Sequence, residues 1–487
     1  MSWGKMRWTA GILCAIFSVT VHADDVGDAI ASAGGSEFSI RAGDAIRVTC
    51  RDLAFQNAAG GLNTVQADLF GRCGDMVLTT LNVVGGNTGV ANRYSLSSNE
   101  EVYATLRQFA GEETSSQGRF ATEGSSGQAS AISSRLAAIR SGVRVSSIAL
   151  NVLGTDIIGL ADGQDTTVGP LVGGNAGEAE GDLGFAWFGS VDYGFGDRDG
   201  SDNEDEYESD SYGVTIGLDY AFDNGLVLGL AGGYNDHEVD FDAVGLSAQV
   251  DPVSGGSMDI ETWTLSGFFD HHSGPVYISG IFSYGDSEYD MERLIIVPAS
   301  TAGSPVQNRR IVSDTSADQY AASVQVGRTF GQTATTYDIY GGFQYLDVDI
   351  DKYTETDLDG GSLGLAFGKQ NIESRQWILG ATVRHAMSTG AGVLVPYLSA
   401  EWHREISNDG RTVDARYALA LGDVNGDGQS DNFALPTDDP DEDYFEMSLG
   451  LAGQLPNNIV LFFEYNALVG LQDTSASLIT LGIRGTF

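Results

Sequence analysis

Between residues 212 and 222 the chain alternates without a break. Tyr212, Val214, Ile216, Leu218, Tyr220 and Phe222 interleave with Gly213, Thr215, Gly217, Asp219 and Ala221. Successive side chains of a strand point to opposite faces, so one face is apolar and the other small or polar. Asp223, Asn224 and Gly225 supply a tight turn, and the return run carries Leu226, Leu228, Leu230 and Tyr234 on one face. Aromatic residues at both ends of the apolar face suit a strand that crosses a bilayer with rings at its two interfaces. A soluble sandwich also alternates, so the distinction rests on repetition.

The pattern does repeat. Twelve strands are expected near residues 183–195, 210–222, 226–238, 259–271, 275–288, 316–330, 335–350, 371–387, 392–404, 442–455, 458–470 and 474–487. Each is long enough to cross hydrocarbon when tilted, which takes about 9 to 11 residues. The faces opposite the apolar ones carry Asp270, Asp338, Gln344, Arg384, Glu401, Glu446, Glu464 and Arg484, as a wet lumen would. Short connections at 223–225, 272–274, 331–334, 388–391 and 456–457 alternate with long polar loops such as 196–209 and 405–441, the short loop 471–473 being the exception. A sandwich has no reason to segregate loop length by end, whereas an outer-membrane barrel has short periplasmic turns and longer outer loops. The expected fold is therefore mainly β: a twelve-stranded antiparallel transmembrane β-barrel over 183–487, with both barrel ends in the periplasm.

The 67 acidic residues against 25 basic ones give a formal net charge of -42, which argues against nucleic acid as a partner. Residues 1–23 read as a signal peptide, with Lys5 and Arg7 before an apolar run from Ile12 to Val21, too short for a membrane helix. Elsewhere no stretch of about 18 uninterrupted apolar residues occurs, so no spanning helix is expected. Cys50 and Cys73 are the two cysteines left after the signal, and an exported pair most simply forms a disulfide.

Residues 24–127 are expected to form a small, mainly helical module. Phe38, Ile40, Ile46 and Val48 suggest short strands or extended chain, Asp75 to Leu81 reads as helix, and Ser97 or Ser98 before Glu100 and Glu101 marks a helix start running through Phe109. No histidine occurs between Asp24 and Asp182, so neither a Ser-His-Asp nor a Cys-His arrangement can be built there. No enzymatic activity is expected. Gly285-Asp286-Ser287 matches a serine-hydrolase tripeptide only by chance, because it falls inside a strand pattern.

From Gln128 to about Val145 the period becomes helical, with Ile132, Leu136, Ile139 and Val143 on a narrow stripe and Arg135, Arg140 and Arg144 off it. Such a helix fits either a surface packed on the module or a water-filled pore. The inward Asp and Glu of the strands would give the three arginines partners, which favours the pore. Gly- and Asp-rich residues 152–182 read as a connector, so 128–182 form one linking unit.

Two polar loops stand out. Residues 198–209 read as a solvated, self-repelling acidic loop. Asp423, Asn425, Asp427, Gly428 and Asp431 match the first half of a calcium loop, although Ala434 stands where the bidentate carboxylate belongs. A structural calcium there is the one cofactor the sequence raises.

The order of signal peptide, small exported segment, a helix reading Ser133-Ser134-Arg135-Leu136-Ala137-Ala138-Ile139-Arg140-Ser141-Gly142 and a barrel resembles the monomeric autotransporters of Gram-negative bacteria. Ile479, Leu481, Ile483 and Phe487 are similar to the family's terminal strand, with Gly485 where a bulkier residue is usual, and Asp439-Pro440-Asp441 followed by Tyr444-Phe445 also looks like the family's barrel sequence. The resemblance covers about residues 128–487. It implies a monomeric outer-membrane translocator, a helix in its pore, recognition by the barrel-assembly machinery through Phe487, contact with outer-membrane lipid, and residues 24–127 as a short passenger at the cell surface. A porin-like channel, or an adhesin or enzyme carried by the passenger, are the alternatives.

Overall fold

The computed structural model describes residues 25–123, 126–140, 185–242, 255–299, 306–331, 334–389, 392–407, 410–455 and 459–486, with a two-rung ladder at 151–152 and 155–156. The expected signal peptide, Arg144, most of the expected connector and Phe487 lie outside the described residues.

Twelve described strands form the wall: β1 Phe185–Arg198, β2 Tyr207–Ala221, β3 Leu226–Phe241, β4 Gly256–Ser273, β5 Val276–Val297 and β6 Gln307–Phe330. They continue as β7 Thr335–Ile350, β8 Gln370–His385, β9 Gly392–Glu405, β10 Asp443–Leu455, β11 Ile459–Val469 and β12 Thr474–Thr486. Each pairs antiparallel with the next, and β12 returns to β1 from Thr474 opposite Arg198 to Thr486 opposite Ala186. Closure leaves no unpaired edge, the condition for a sheet in lipid.

Outward positions are apolar and exposed. On β2 they run from Tyr212 through Val214, Ile216 and Leu218 towards Phe222 just beyond it. Ten residue steps at about 3.3 Å, tilted by about 40°, span roughly 25 Å, the height of an apolar band in such barrels. Inward aromatics lie flat over glycines directly opposite on the next strand. Phe188 covers Gly217 and Tyr397 covers Gly450, where an added Cβ would stand 2.2 Å and 2.0 Å from the ring. The rings thus hug the wall and keep the lumen open. On the outer face the Trp187 indole fills the space at Gly485, 2.6 Å from where a Cβ would be, so the bulk expected at that position comes from the neighbouring strand.

Among the described residues of the N-terminal module, the helices are α1 Asp25–Ser32, α2 Glu37–Ala58, α3 Thr64–Val83, α4 Asn99–Ala110 and α5 Gln117–Glu123, with a 3₁₀ turn at Glu112–Ser116. Ser98 caps α4 by accepting from Glu101 N, as expected from sequence. The strands expected around Phe38 and Ile46 are instead part of α2. Its buried positions Phe38, Ala42, Ile46, Cys50 and Leu53 follow the helical period, and Ser36 caps it. The Cα atoms of Cys50 and Cys73 are 5.5 Å apart in a disulfide joining α2 to α3.

The long loops add a second sheet that local patterning did not disclose, made of Tyr353–Thr354, Leu365–Phe367, Thr412–Tyr417 and Phe433–Pro436. One apolar core unites this sheet, the protruding ends of β5 and β6, and the helices. Ile46, Leu53, Leu69, Met76 and Leu106 share it with Ile295, Ile311, Leu365, Phe367, Val413 and Leu435. The module and the loop end of the barrel are therefore one packed body.

Candidate functional site

Helix α6, Ser126–Arg140, runs inside the barrel. Its apolar side is short: Ile132 and Leu136 pack on inward Phe188, Val227, Ala231, Phe268 and Ile281. The rest of the seat is polar. Arg135 donates from Nε and Nη2 to the two carboxylate oxygens of Asp219 at 2.8 and 2.6 Å, and both side chains are only 2% exposed. Such a planar fork fixes the rotation of the helix as well as its depth. Ser134 Oγ donates to Glu464 at 3.0 Å, Asn466 Nδ2 donates to Ser130 at 3.1 Å, and Tyr397 donates to Glu464. Near the middle of the lumen Ser266 Oγ donates to Gln128 Oε1 at 2.8 Å.

Position along the barrel follows from these partners. Asp219 lies near the Asp223–Gly225 turn, whereas Gln128 meets mid-strand β4. The helix therefore enters from the loop end and points its C-terminus to the turn end, where β1 begins. It leans on the β1–β5 side. Along its other face a cavity of about 880 Å³ remains, bordered by Ala129, Ser133, Gln344, Arg384, Glu401 and Glu446.

Of the three arginines expected in the pore, Arg135 is seated there. Arg140 ends the described helix, with its side chain outside the described residues, as is all of Arg144. Sequence reasoning placed Glu464 on the lumen side but did not foresee its role as acceptor for the helix. Ser130 and Ser134, four residues apart on one helix face, were the signal available.

The mouth at the loop end is filled by the segment before α6. Phe120, 1% exposed, packs edge-on to Tyr207 with ring centroids 4.7 Å apart, and also meets His237 and Phe241. Gln117 donates to Tyr353 Oη at 2.9 Å and accepts from Gln370 at 2.7 Å. Arg293 is held by Glu355 through two hydrogen bonds of 2.6 and 2.7 Å and donates to the Gln108 carbonyl at 2.6 Å, tying β5 to α4. Beside it Glu113 is buried in the 3₁₀ turn. Burial pushes its carboxyl up to about 8, with Asp205 adding to the rise and Arg293 opposing it.

The acidic loop is solvated at Asp199, Asp202, Glu206 and Glu208, all exposed, but not at Glu204. Glu204 is 5% exposed, 3.5 Å from Arg198 and 3.9 Å from Arg119 of α5, and Arg198 also binds Asp438. Arg198 of the loop itself and Arg119 from a distant helix thus offset the charge of Glu204. In the calcium-like loop several side-chain oxygens accept from the loop's own amides. Asp423 accepts from the amides of Gly426, Asp427 and Gly428 at 2.8, 3.1 and 2.9 Å, and Asn425 accepts from Asp427 N at 2.9 Å. Asp427 pairs with Arg51 of α2 at 2.8 Å, and Asp431 accepts from Gly422 N. The loop is thus stapled to the module by an arginine.

No curated protein sequence matches the chain. Similar solved structures include the translocator domain of NalP from Neisseria meningitidis, at 13% identity and TM-score 0.45, covering 63% of this chain and 90% of that one. The β domain of BrkA from Bordetella follows at 16% identity and TM-score 0.40, covering 63% and 100%. The transport unit of AIDA-I from Escherichia coli is similar at 10% identity and TM-score 0.39, covering 63% and 92%. The model of the autotransporter beta-domain matches residues 187–466, more than half of the chain. The closed twelve-stranded wall and this match together make the chain a member of the autotransporter beta-domain family, and so an outer-membrane protein of Gram-negative bacteria.

Proposed function

We propose that the barrel carries residues 24–127 across the outer membrane and holds them at the cell surface as a folded helical cap. The observation that supports this reading is the course of α6. Its C-terminus lies at the turn end, where β1 begins, and its N-terminus leads into the mouth and the module. With short turns on the periplasmic side, this course supports an outer position of the module. The apolar band would face outer-membrane lipid, with Phe487 offered to the assembly machinery and the barrel acting as a monomer. The cap would stay attached, because its core is shared with the loop end of the barrel.

A porin-like channel fits less well, since α6 occupies the lumen and Phe120 the mouth. Catalysis by the module also finds little support, as it has no histidine and its cysteines are paired. The test is an epitope inserted between Gly60 and Gly61, in the exposed connection between α2 and α3. On intact cells it should bind antibody and be cut by added protease. Protection of the epitope, with the barrel folded, would place the module in the periplasm and refute surface display.

A further inference from the structure

The wall facing the lumen cavity contains an arrangement that the helix seat does not use. Glu401 on β9 and Glu446 on β10 stand directly opposite each other in the strand register. Two like charges facing across an antiparallel pair repel, so such a pair calls for a cation between its members. Two residues along the same face, His403 is 4% exposed and aims Nε2 between them, 3.3 Å from Glu401 Oε2 and 3.8 Å from Glu446 Oε2. That nitrogen has no hydrogen-bond partner. Among the described residues this is the one group of three or more His, Cys, Asp and Glu whose ligand atoms gather, all within 4.8 Å of one another.

The surroundings orient these ligands. His403 Nδ1 lies 3.2 Å from Gln376 Oε1, which also accepts from Tyr444 Oη at 3.0 Å, and the imidazole stacks on the Tyr444 ring at 4.8 Å. An N–H donated from Nδ1 to an amide oxygen leaves a lone pair on Nε2, the tautomer a metal ligand needs. Tyr340 donates to the other oxygen of Glu401 at 2.5 Å, turning Oε2 towards the imidazole. Two ligands about 2.1 Å from a tetrahedral ion stand roughly 3.4 Å apart, close to the nitrogen–oxygen separations found here. One imidazole and two carboxylates suit a borderline divalent transition metal and leave a fourth position open towards the cavity.

We propose that Glu401, His403 and Glu446 bind one divalent transition-metal ion of the zinc class, which bridges β9 and β10 and presents an open coordination position to the lumen cavity beside α6. The experiment uses the full chain in detergent micelles, stripped with a chelator and titrated with zinc by calorimetry, and with cobalt(II) followed by visible absorption. Wild type should take up one ion per chain and show the ligand-field bands of four-coordinate cobalt. His403→Gln and Glu446→Gln should each weaken binding by about 100-fold or more, and Gln376→Leu by about 10-fold or more, as loss of an orienting partner does. Folding of each variant is read from its heat-dependent gel mobility, and Gln376→Leu leaves all three ligands in place should a ligand variant misfold. Asp423→Asn, in the calcium-like loop, should leave uptake unchanged. Failure of the wild type to bind either ion would show that a proton holds the cluster and would overturn the proposal. So would uptake that survives in His403→Gln and Glu446→Gln but is lost in Asp423→Asn.

Discussion

The seating of α6 makes a quantitative prediction through one ion pair. Replacing Arg135 by Met leaves Asp219, 3% exposed, as an uncompensated charge in the wall, and Asp219→Leu leaves the guanidinium in the same position. Breaking a buried pair on one side costs about 3 to 5 kcal/mol, whereas replacing both partners by apolar groups of similar volume is close to neutral. At 1.36 kcal/mol per decade, either single change should raise the population with the helix unseated by roughly 150-fold to 5,000-fold. The double variant should recover most of that loss. The assay is conductance of single barrels in planar bilayers, with thiol labelling of a cysteine placed at Ser133 as a second readout. Both singles should open the pore more often and label faster, and the double should resemble wild type. Strictly additive effects, or singles that match wild type in both assays, would refute the idea that the Arg135–Asp219 fork seats the helix.

Two further outcomes concern the cap. Glu113 is held protonated in the folded cap to about pH 8, against an ordinary value of 4.5, so between those limits the folded state binds the extra proton. Stability contributed by this group is therefore present at pH 4.5 and below and is lost as pH rises towards 8, by an upper bound of roughly 5 kcal/mol. The protection of α4 against hydrogen exchange, relative to the intrinsic rate at each pH, should fall across that window in wild type, and Glu113→Gln should flatten the slope. An equal slope in both would assign the pH dependence elsewhere. The Cys50–Cys73 bond closes a loop with a sequence separation of 23, for which chain entropy gives about 3 kcal/mol. Replacing both cysteines by Ala should make the module more sensitive to protease while the barrel keeps its heat-dependent gel mobility. Unchanged protease resistance would show that the shared core alone holds the module.

The barrel was legible in the sequence because period two is a local property and recurs. All twelve expected strands overlap the observed ones, and inward residues such as Asp270, Asp338 and Glu464 were assigned to the correct face. Arg135 and Asp219 were each placed correctly, one on the pore helix and one on the lumen face, yet nothing local could pair them across 84 positions. The outer sheet was missed for the same reason. Its strands are two to six residues long, and Leu365 meets Tyr417 through pairing that only the assembled loops create. Phe38 with Ile40 and Ile46 with Val48 mimic strand spacing, while burial in α2 follows the four-residue steps between them. The acidic loop departs from the local reading at Glu204, because its partner Arg119 lies in a helix far away in sequence.

The shared apolar core has a consequence for how interchangeable the parts of this chain are. Were residues 24–127 exchanged for an unrelated cargo, Ile295, Ile311, Leu365, Phe367, Val413 and Leu435 would lose their cover and meet water together. A bare patch of that kind invites aggregation between neighbouring molecules. The helical module and the loop end of the barrel cannot drift apart in sequence one at a time. This barrel is matched to a single module, and any chimera built on it would have to retain the native helices beneath the graft.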